Sequence, residues 1–416
     1  MQVQVSKTST GLTVVTESVP GVRSVAVGCW VATGSRDERP NEAGAAHFLE
    51  HLLFKGSERL SAREISETFD AIGAQSNAFT SKEYTCFWAR MLDTELATGL
   101  GLLAEMLQRP AFRSGEIDSE RRVVVEEINM NEDDPSDVAM EAFIRTAFEG
   151  HPLGLPVLGT RKSIGAMSRD DIDGYWRRRY GSGTVVVAVA GNIEHDRAVD
   201  LVEGLFGCWE AGDGSHDPNP PAITPKVHVV RRDTEQLHLV YGGESINRTD
   251  DRRLADGVMH HILGGGMSSR LFQKVREERG LAYAVHSFSM RFSETGAWGI
   301  YVGTTPANAH TVMEILTDEI RHLVAEGVTG AELERAKGHV RGALALSMED
   351  TNTRMIRLGR NEIFGLPHLS LDERLARIEK MTRTELADNA ARTLVGPRVM
   401  GAVGPFESKE FQGYVA

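Results

Sequence analysis

The chain has 416 residues, 41% of them apolar, with 59 acidic against 46 basic side chains and a net charge of −13. That length and apolar share suffice for two or three domains with real cores, which excludes a disordered, collagen-like or small disulfide-stapled protein. The acidic balance argues against nucleic acid or an anionic membrane surface as the main partner, and three cysteines without a C-x-x-C spacing argue against a disulfide framework or a thiolate zinc site.

At the N-terminus no basic stretch leads into an apolar one, and no run of about 18 apolar residues follows anywhere, so a cytoplasmic protein without a membrane span is expected. Alternation predicts strands over Gly11 to Glu17 and Ser24 to Thr33. Ala43 to Phe54 is rich in Ala and Leu, lacks proline, and predicts a helix. Ser61-x-x-Glu64 is a capping box that opens a helix ending near Gly73. Gly73 to Thr80 and Tyr84 to Met91 read as strands. Asp93 is expected to cap a helix that carries Leu96, Leu100, Leu103 and Leu107 and stops at Pro110. Glu116 to Asn131 is a strongly charged helix, and Thr184 to Ala190 is a strand. Arg177, Arg178 and Arg179, beside Trp176, fit a helix C-terminus favoured by its dipole better than a nucleic-acid patch. Four prolines and two glycines between Glu210 and Lys226 signal a linker. Further strands are predicted over Gln236 to Tyr241 and Trp298 to Gly303. Gly264-Gly265-Gly266 lacks a following Gly-Lys-Ser/Thr and reads as a helix-to-helix turn, not a phosphate loop.

The halves on either side of the linker repeat. Ile164, Met167 to Ile172 and Ala188 to Gly191 recur as Ile378, Met381 to Leu386 and Ala402 to Pro405, at an offset of 214 throughout. Glu116 to Arg121 matches Glu332 to Lys337 at an offset of 216, and both stretches run through a helical pattern into an acidic end. A duplicated domain follows. The expected fold is α+β: two homologous domains, 1–210 and 227–416 with a linker at 211–226, each a mainly antiparallel sheet with helices packed on one face.

Residues 47 to 51 read His-Phe-Leu-Glu-His. On a helix, His47 and His51 share a face and Glu50 borders it. Two neutral imidazoles at i, i+4 can hold one zinc, with the adjacent carboxylate beside the water it activates; this is the inverse of the H-E-x-x-H order. With 14 His and 59 acidic residues in 416, a His-x-x-acid-His arising by chance is expected at most about 0.07 times, which weighs against a helix with two unrelated surface histidines. A catalytic zinc commonly takes a third protein ligand, and Glu120 and Glu127, seven apart, share one face of the 116–131 helix. Taken singly, each could equally belong to a solvated face. In the second copy, however, Ala336 and Ala343 stand at their places, and His260-His261-Ile262-Leu263-Gly264 lacks the Glu and the second His. One half is equipped for metal and its copy is not.

On these residues the chain resembles the pitrilysin, insulin-degrading enzyme and mitochondrial processing peptidase family over essentially its whole length, as a short-chain, processing-peptidase-like subunit. The family's third ligand is a Glu about 76 residues beyond the motif, and Glu127 follows His51 by 76. The resemblance implies His47, His51 and Glu127 as ligands of one zinc per chain, Glu50 as the catalytic base, and Glu120 in a supporting role behind the ligands. It implies that Asn77, Ala78 and Phe79 form an edge strand to which substrate adds by main-chain hydrogen bonds. It also implies that Arg276 and Tyr283 hold the substrate backbone and the tetrahedral intermediate. Without the family, Arg276 is a charged helix residue and Tyr283 the start of a strand. At this length the chain corresponds to one of two subunits around a chamber, with Arg276 and Tyr283 completing the partner's site in a homodimer, or in a heterodimer with an inactive paralogue.

The expected function is zinc-dependent endopeptidase activity on peptides or small unfolded proteins. The rival readings are a non-catalytic peptide-binding or assembly subunit of the same family, which tends to lose the set His47, Glu50, His51 and Glu127, and a zinc hydrolase for small amides, which needs neither the duplicated half nor the edge strand.

Overall fold

The computed structural model describes residues 3–214 and 218–415, so part of the linker expected at 211–226 lies outside the described residues. In chain order the first elements are β1 (Val3–Lys7), β2 (Thr13–Ser18), β3 (Ser24–Val31), α1 (Ala45–Leu53), α2 (Ala62–Ala71), β4 (Gln75–Thr80) and β5 (Thr85–Leu92). Next come α3 (Leu96–Gln108), α4 (Ser114–Asp133), α5 (Pro135–Ala147), α6 (Arg161–Ala166), α7 (Arg169–Arg179), β6 (Val185–Gly191) and α8 (His195–Phe206). The remainder comprises β7 (Lys226–Arg231), β8 (Leu237–Ser245), α9 (Arg253–Gly264), β9 (Ala282–Arg291), β10 (Gly296–Thr304), α10 (Ala309–Glu326) and α11 (Gly330–Ser347). It closes with α12 (Thr351–Ile363), α13 (Leu371–Lys380), α14 (Arg383–Thr393) and β11 (Arg398–Gly404). Among the described residues no helix is long and apolar enough to cross a membrane.

The fold is α+β with two sheets. One has the order β1-β2-β6-β3-β5-β4, the other β7-β11-β8-β10-β9. Pairing is antiparallel except for β2 with β6 and β7 with β11, so the five strands from β2 to β4 in the first sheet match the second one for one. The helices preceding β6 and β11 agree as well: Ser168-x-x-Asp171 caps α7 and Thr382-x-x-Glu385 caps α14 with the same reciprocal hydrogen bonds. A few local details depart from the expectations. Asp93 lies in a short 3₁₀ turn before α3, with its carboxylate bonded to Arg23 and Asn192. The three arginines do close α7, and each is engaged: Arg177 with Asp173, Arg178 with Glu42, and Arg179 with the main chain of Asp37 and Asp213.

The compact units are interleaved in the sequence. The first comprises Met1–Ile128, Leu155–Asp217 and Ala345–Leu371; the second comprises Asn129–Gly154, Pro218–Leu344 and Asp372–Ala416. The linear halves expected from the repeat therefore exchange one segment each. Most helices pack on one face of their sheet, but the exchanged segments carry α12 and α5, equivalent helices in the repeat, and these cover the opposite faces. In the first unit, Met355 and Leu358 of α12 pack on Val15, Ala26, Trp30, Val186 and Ala188. In the second, Phe143, Ile144 and Ala147 of α5 pack on Val240, Ala297 and Val399. The strands are built for two buried faces: β6 reads VVVAVAG and is buried at every position. Glycine permits the close approach, since a Cβ on Gly28 would lie 2.3 Å from Met355 Sδ and one on Gly401 2.1 Å from the Phe143 nitrogen.

A buried ion triad reinforces α12. Glu17 on β2 accepts from Arg354 at 2.6 Å and from Arg357 at 2.7 Å, with all three side chains less than 10% exposed. Removing the carboxylate takes the counter-charge from two buried guanidinium groups, which keep the Met348 and Leu369 carbonyls as acceptors, so Glu17→Ala is expected to cost about 3 kcal/mol, read as a fall in the denaturant midpoint. Glu67→Ala, which breaks the exposed pair with Arg63 one turn away on α2, provides the comparison. A Glu17→Ala loss below about 1 kcal/mol, the range of an exposed pair, would mean that apolar packing alone holds α12.

Candidate metal centre

The centre is built on α1 and α4, both in the first unit at this point of the chain. Phe48, Leu49, Leu52 and Leu53 bury one side of α1 in the core, and Ile117, Val124 and Ile128 do the same for α4. With those faces committed, the helical period turns His47 and His51 toward the face of α4 that bears Glu120 and Glu127. His47 Nε2 and His51 Nε2 are 3.2 Å apart, and Glu127 Oε2 lies 3.5 Å from the first and 3.4 Å from the second. Among the described residues these three form the cluster of His, Cys, Asp or Glu side chains able to hold a metal ion.

Zinc fits this donor set. Ligand atoms at about 2.0–2.1 Å from a tetrahedral zinc stand about 3.3–3.4 Å from one another, which is the spacing of the cluster. Buried Oε2 of Glu127 has no hydrogen-bond partner, an arrangement that is costly unless a cation sits among the three atoms. Burial lowers the His47 pKa to about 4, with His51 adding to the effect, so its imidazole is neutral near pH 7 and offers a lone pair. His51 is oriented from behind. Its Nδ1 lies 2.8 Å from Glu120 Oε1, and because a carboxylate only accepts, the proton stays on Nδ1 and the Nε2 lone pair faces Glu127. Glu120 is buried, and its second oxygen lies 2.8 Å from Lys55 Nζ. Glu127 is the most exposed of the three, with 43% of its side chain accessible, which leaves an open approach for water or substrate.

Glu50 accepts a 2.5 Å hydrogen bond from Thr80 Oγ1 at the end of β4. Burial raises its pKa; the bond from Thr80 and the nearby His51 oppose that rise, and Glu127 adds to it. A carboxyl shifted upward beside a cluster able to hold a metal is suited to taking and returning a proton. The β4 strand containing Asn77, Ala78 and Phe79 pairs with β5 on one side and is the terminal strand of its sheet. Phe79 packs edge-on against Trp30, which steadies the strand next to Glu50.

Arg276 and Tyr283 belong to the second unit, where they meet each other. The guanidinium lies 4.5 Å from the Tyr283 ring centroid and donates to the Tyr283 carbonyl at 3.1 Å, and the tyrosine side chain is largely exposed. At the second copy's counterpart of the histidine motif, His260 is buried near Asp256 and Trp298, and His261 stacks on His339 at 4.2 Å. Ala336 lies in the second core. Two contributors to the first site were not anticipated, Lys55 and Thr80. Lys55 follows His51 by four residues, a signal the spacing could have offered; Thr80 could be found only from the way β4 passes α1.

A duplicated α+β chain that brings His-x-x-Glu-His together with a carboxylate from a later helix defines the architecture of a metallopeptidase-type family with the inverted motif. The chain belongs to the insulinase family, peptidase family M16: it matches that family over residues 13–161 and the peptidase M16 inactive domain over residues 166–339. It is 41% identical to an uncharacterized zinc protease of Streptomyces coelicolor, over 96% of this chain and 89% of that one. It is 39% identical to an uncharacterized zinc protease of Bacillus subtilis, over 93% and 96%. Among solved structures, the fold is similar to a peptidase M16 inactive domain from Pseudomonas fluorescens, with a TM-score of 0.92, 21% identity and coverage of 98% of this chain and 99% of that one. It is also similar to a chain of complex III2 from Candida albicans, with a TM-score of 0.82, 19% identity and full coverage of both.

Proposed function

We propose that the chain is a zinc-dependent endopeptidase that holds one zinc through His47, His51 and Glu127 and hydrolyses peptides or small unfolded proteins. The observation that carries this reading is the triangle of three ligand atoms, 3.2 to 3.5 Å on a side, with Glu50 beside it. The names of the bacterial relatives support it. Bound there, zinc supplies a Lewis acid that acidifies water and polarises the scissile carbonyl. Glu50 takes the proton of the attacking water and returns it to the leaving amine, with Thr80 holding the carboxylate in place. The free edge of β4 at Asn77 to Phe79 aligns the substrate backbone by strand addition, which positions a peptide without reading every side chain. Arg276 and Tyr283 are assigned to anchoring the backbone and stabilising the oxyanion. By analogy with the family, two subunits enclose the substrate, most simply as a homodimer in which each supplies this pair to the other. A cytoplasmic location accords with three unpaired cysteines.

Elemental analysis together with a quenched-peptide library, with and without chelator, tests the reading. The expected result is stoichiometric zinc, with cleavage lost on chelation and restored when zinc is returned. Stoichiometric zinc with no cleavage would replace it with a peptide-binding or assembly subunit.

A further inference from the structure

We infer that Lys55 is a positioning residue for the metal centre, acting on His51 through Glu120; the inference rests on reading His47, His51 and Glu127 as zinc ligands. The side chains form a single line. Lys55 Nζ lies 2.8 Å from Glu120 Oε2, and Glu120 Oε1 lies 2.8 Å from His51 Nδ1, with His51 Nε2 beyond it facing Glu127. The Glu120 side chain is 5% exposed and that of Lys55 34%, so the carboxylate is nearly dry while the ammonium reaches it from the rim.

A carboxylate bonded through one oxygen alone can turn about its terminal bond. Engaging the second oxygen fixes its plane and so fixes the direction of the imidazole that the first oxygen holds. The charge matters as well. A buried carboxylate lacking a cation within reach of a divalent metal is itself a competing ligand, and the Lys55 ammonium ties up the oxygen that could swing toward the ion. The backbone beneath Lys55 is rigid, since its N–H bonds the Leu52 carbonyl in the turn that ends α1, and Ser57 is tied in turn to Leu60. The position, one turn beyond His51, sends the lysine stem along the side of α1 that bears the histidine.

Because Glu120 is nearly buried, removing the cation leaves its carboxylate short of a partner and lowers stability too, so metal affinity is read on protein that is still folded. The experiment measures zinc affinity by competition with a fluorescent chelator, and the thermal unfolding of zinc-free protein, for the wild type, Lys55→Met and Lys55→Arg. Lys55→Met is expected to weaken zinc binding about 10–100-fold, the cost typical of losing a partner behind a ligand, with the zinc-free protein still folded at the assay temperature. Lys55→Arg, which keeps the cation, should recover most of that affinity. Wild-type affinity in Lys55→Met would overturn the inference, as would a loss in Lys55→Met that tracks a lowered melting temperature and is not rescued by Arg. If wild-type protein itself bound no zinc, the reading of the metal centre would fall, and the role of Lys55 with it; zinc bound equally by all three proteins would remove only the role of Lys55.

Discussion

Glu50→Gln is expected to leave zinc bound and to lower peptide hydrolysis by about 10²–10⁴-fold, the contribution usual for a positioned general base. Glutamine keeps the size of the side chain and an oxygen that can accept from Thr80 Oγ1, so the helix and the strand beside it should be undisturbed. What it cannot do is take a proton from water at neutral pH. The ligand atoms on His47, His51 and Glu127 are untouched by the change, so metal content measured on the same preparation should equal that of the wild type. Undiminished cleavage by Glu50→Gln would remove Glu50 from the role of base. Loss of both zinc and cleavage would assign it to holding the metal instead.

The second large effect is expected at Glu127. Glu127→Ala deletes one of the three ligand atoms, and since losing even a partner behind a ligand costs about 10–100-fold in affinity, loss of a ligand should exceed that range and take activity with it. The fold should tolerate the change, because the side chain is 43% exposed and its inward oxygen makes no hydrogen bond. Glu126, the adjacent residue on the same helix, is exposed and turned away, so Glu126→Ala is the natural control and should keep both zinc and activity. Equal zinc affinity in Glu127→Ala and the wild type would remove Glu127 from the ligand set.

Much of the candidate site is legible in the sequence because helical geometry is local. The spacing of four between His47 and His51, and of seven between Glu120 and Glu127, puts each pair on one face before any tertiary contact is known. That the two faces meet is a longer inference, supported beforehand by Ala336 and Ala343 in the second copy, and the structure places the four side chains within reach of one another. Asp93 illustrates the opposite case. Its position before a helix suggests a cap, yet its carboxylate is taken by Arg23 and Asn192, partners 70 and 99 residues away. Local propensity cannot anticipate such a competitor.

The sequence by itself determined the duplication, the α+β class, the histidine motif and the helix that supplies a carboxylate to it. Each of these is written in short-range periodicity or in a constant offset, and short-range periodicity is set by backbone geometry. Only the tertiary structure decided that α5 and α12 exchange between the repeated units, that Glu17 is neutralised by arginines 337 and 340 residues away, and that Lys55 meets Glu120 and Thr80 meets Glu50. These depend on which buried surfaces meet. The fully buried β6 announces that both of its faces must be covered, but a run of apolar residues does not name its cover, and equivalent helices in a repeat are chemically similar candidates for the same place. Packing of particular shapes, such as Met355 against Gly28, makes that choice.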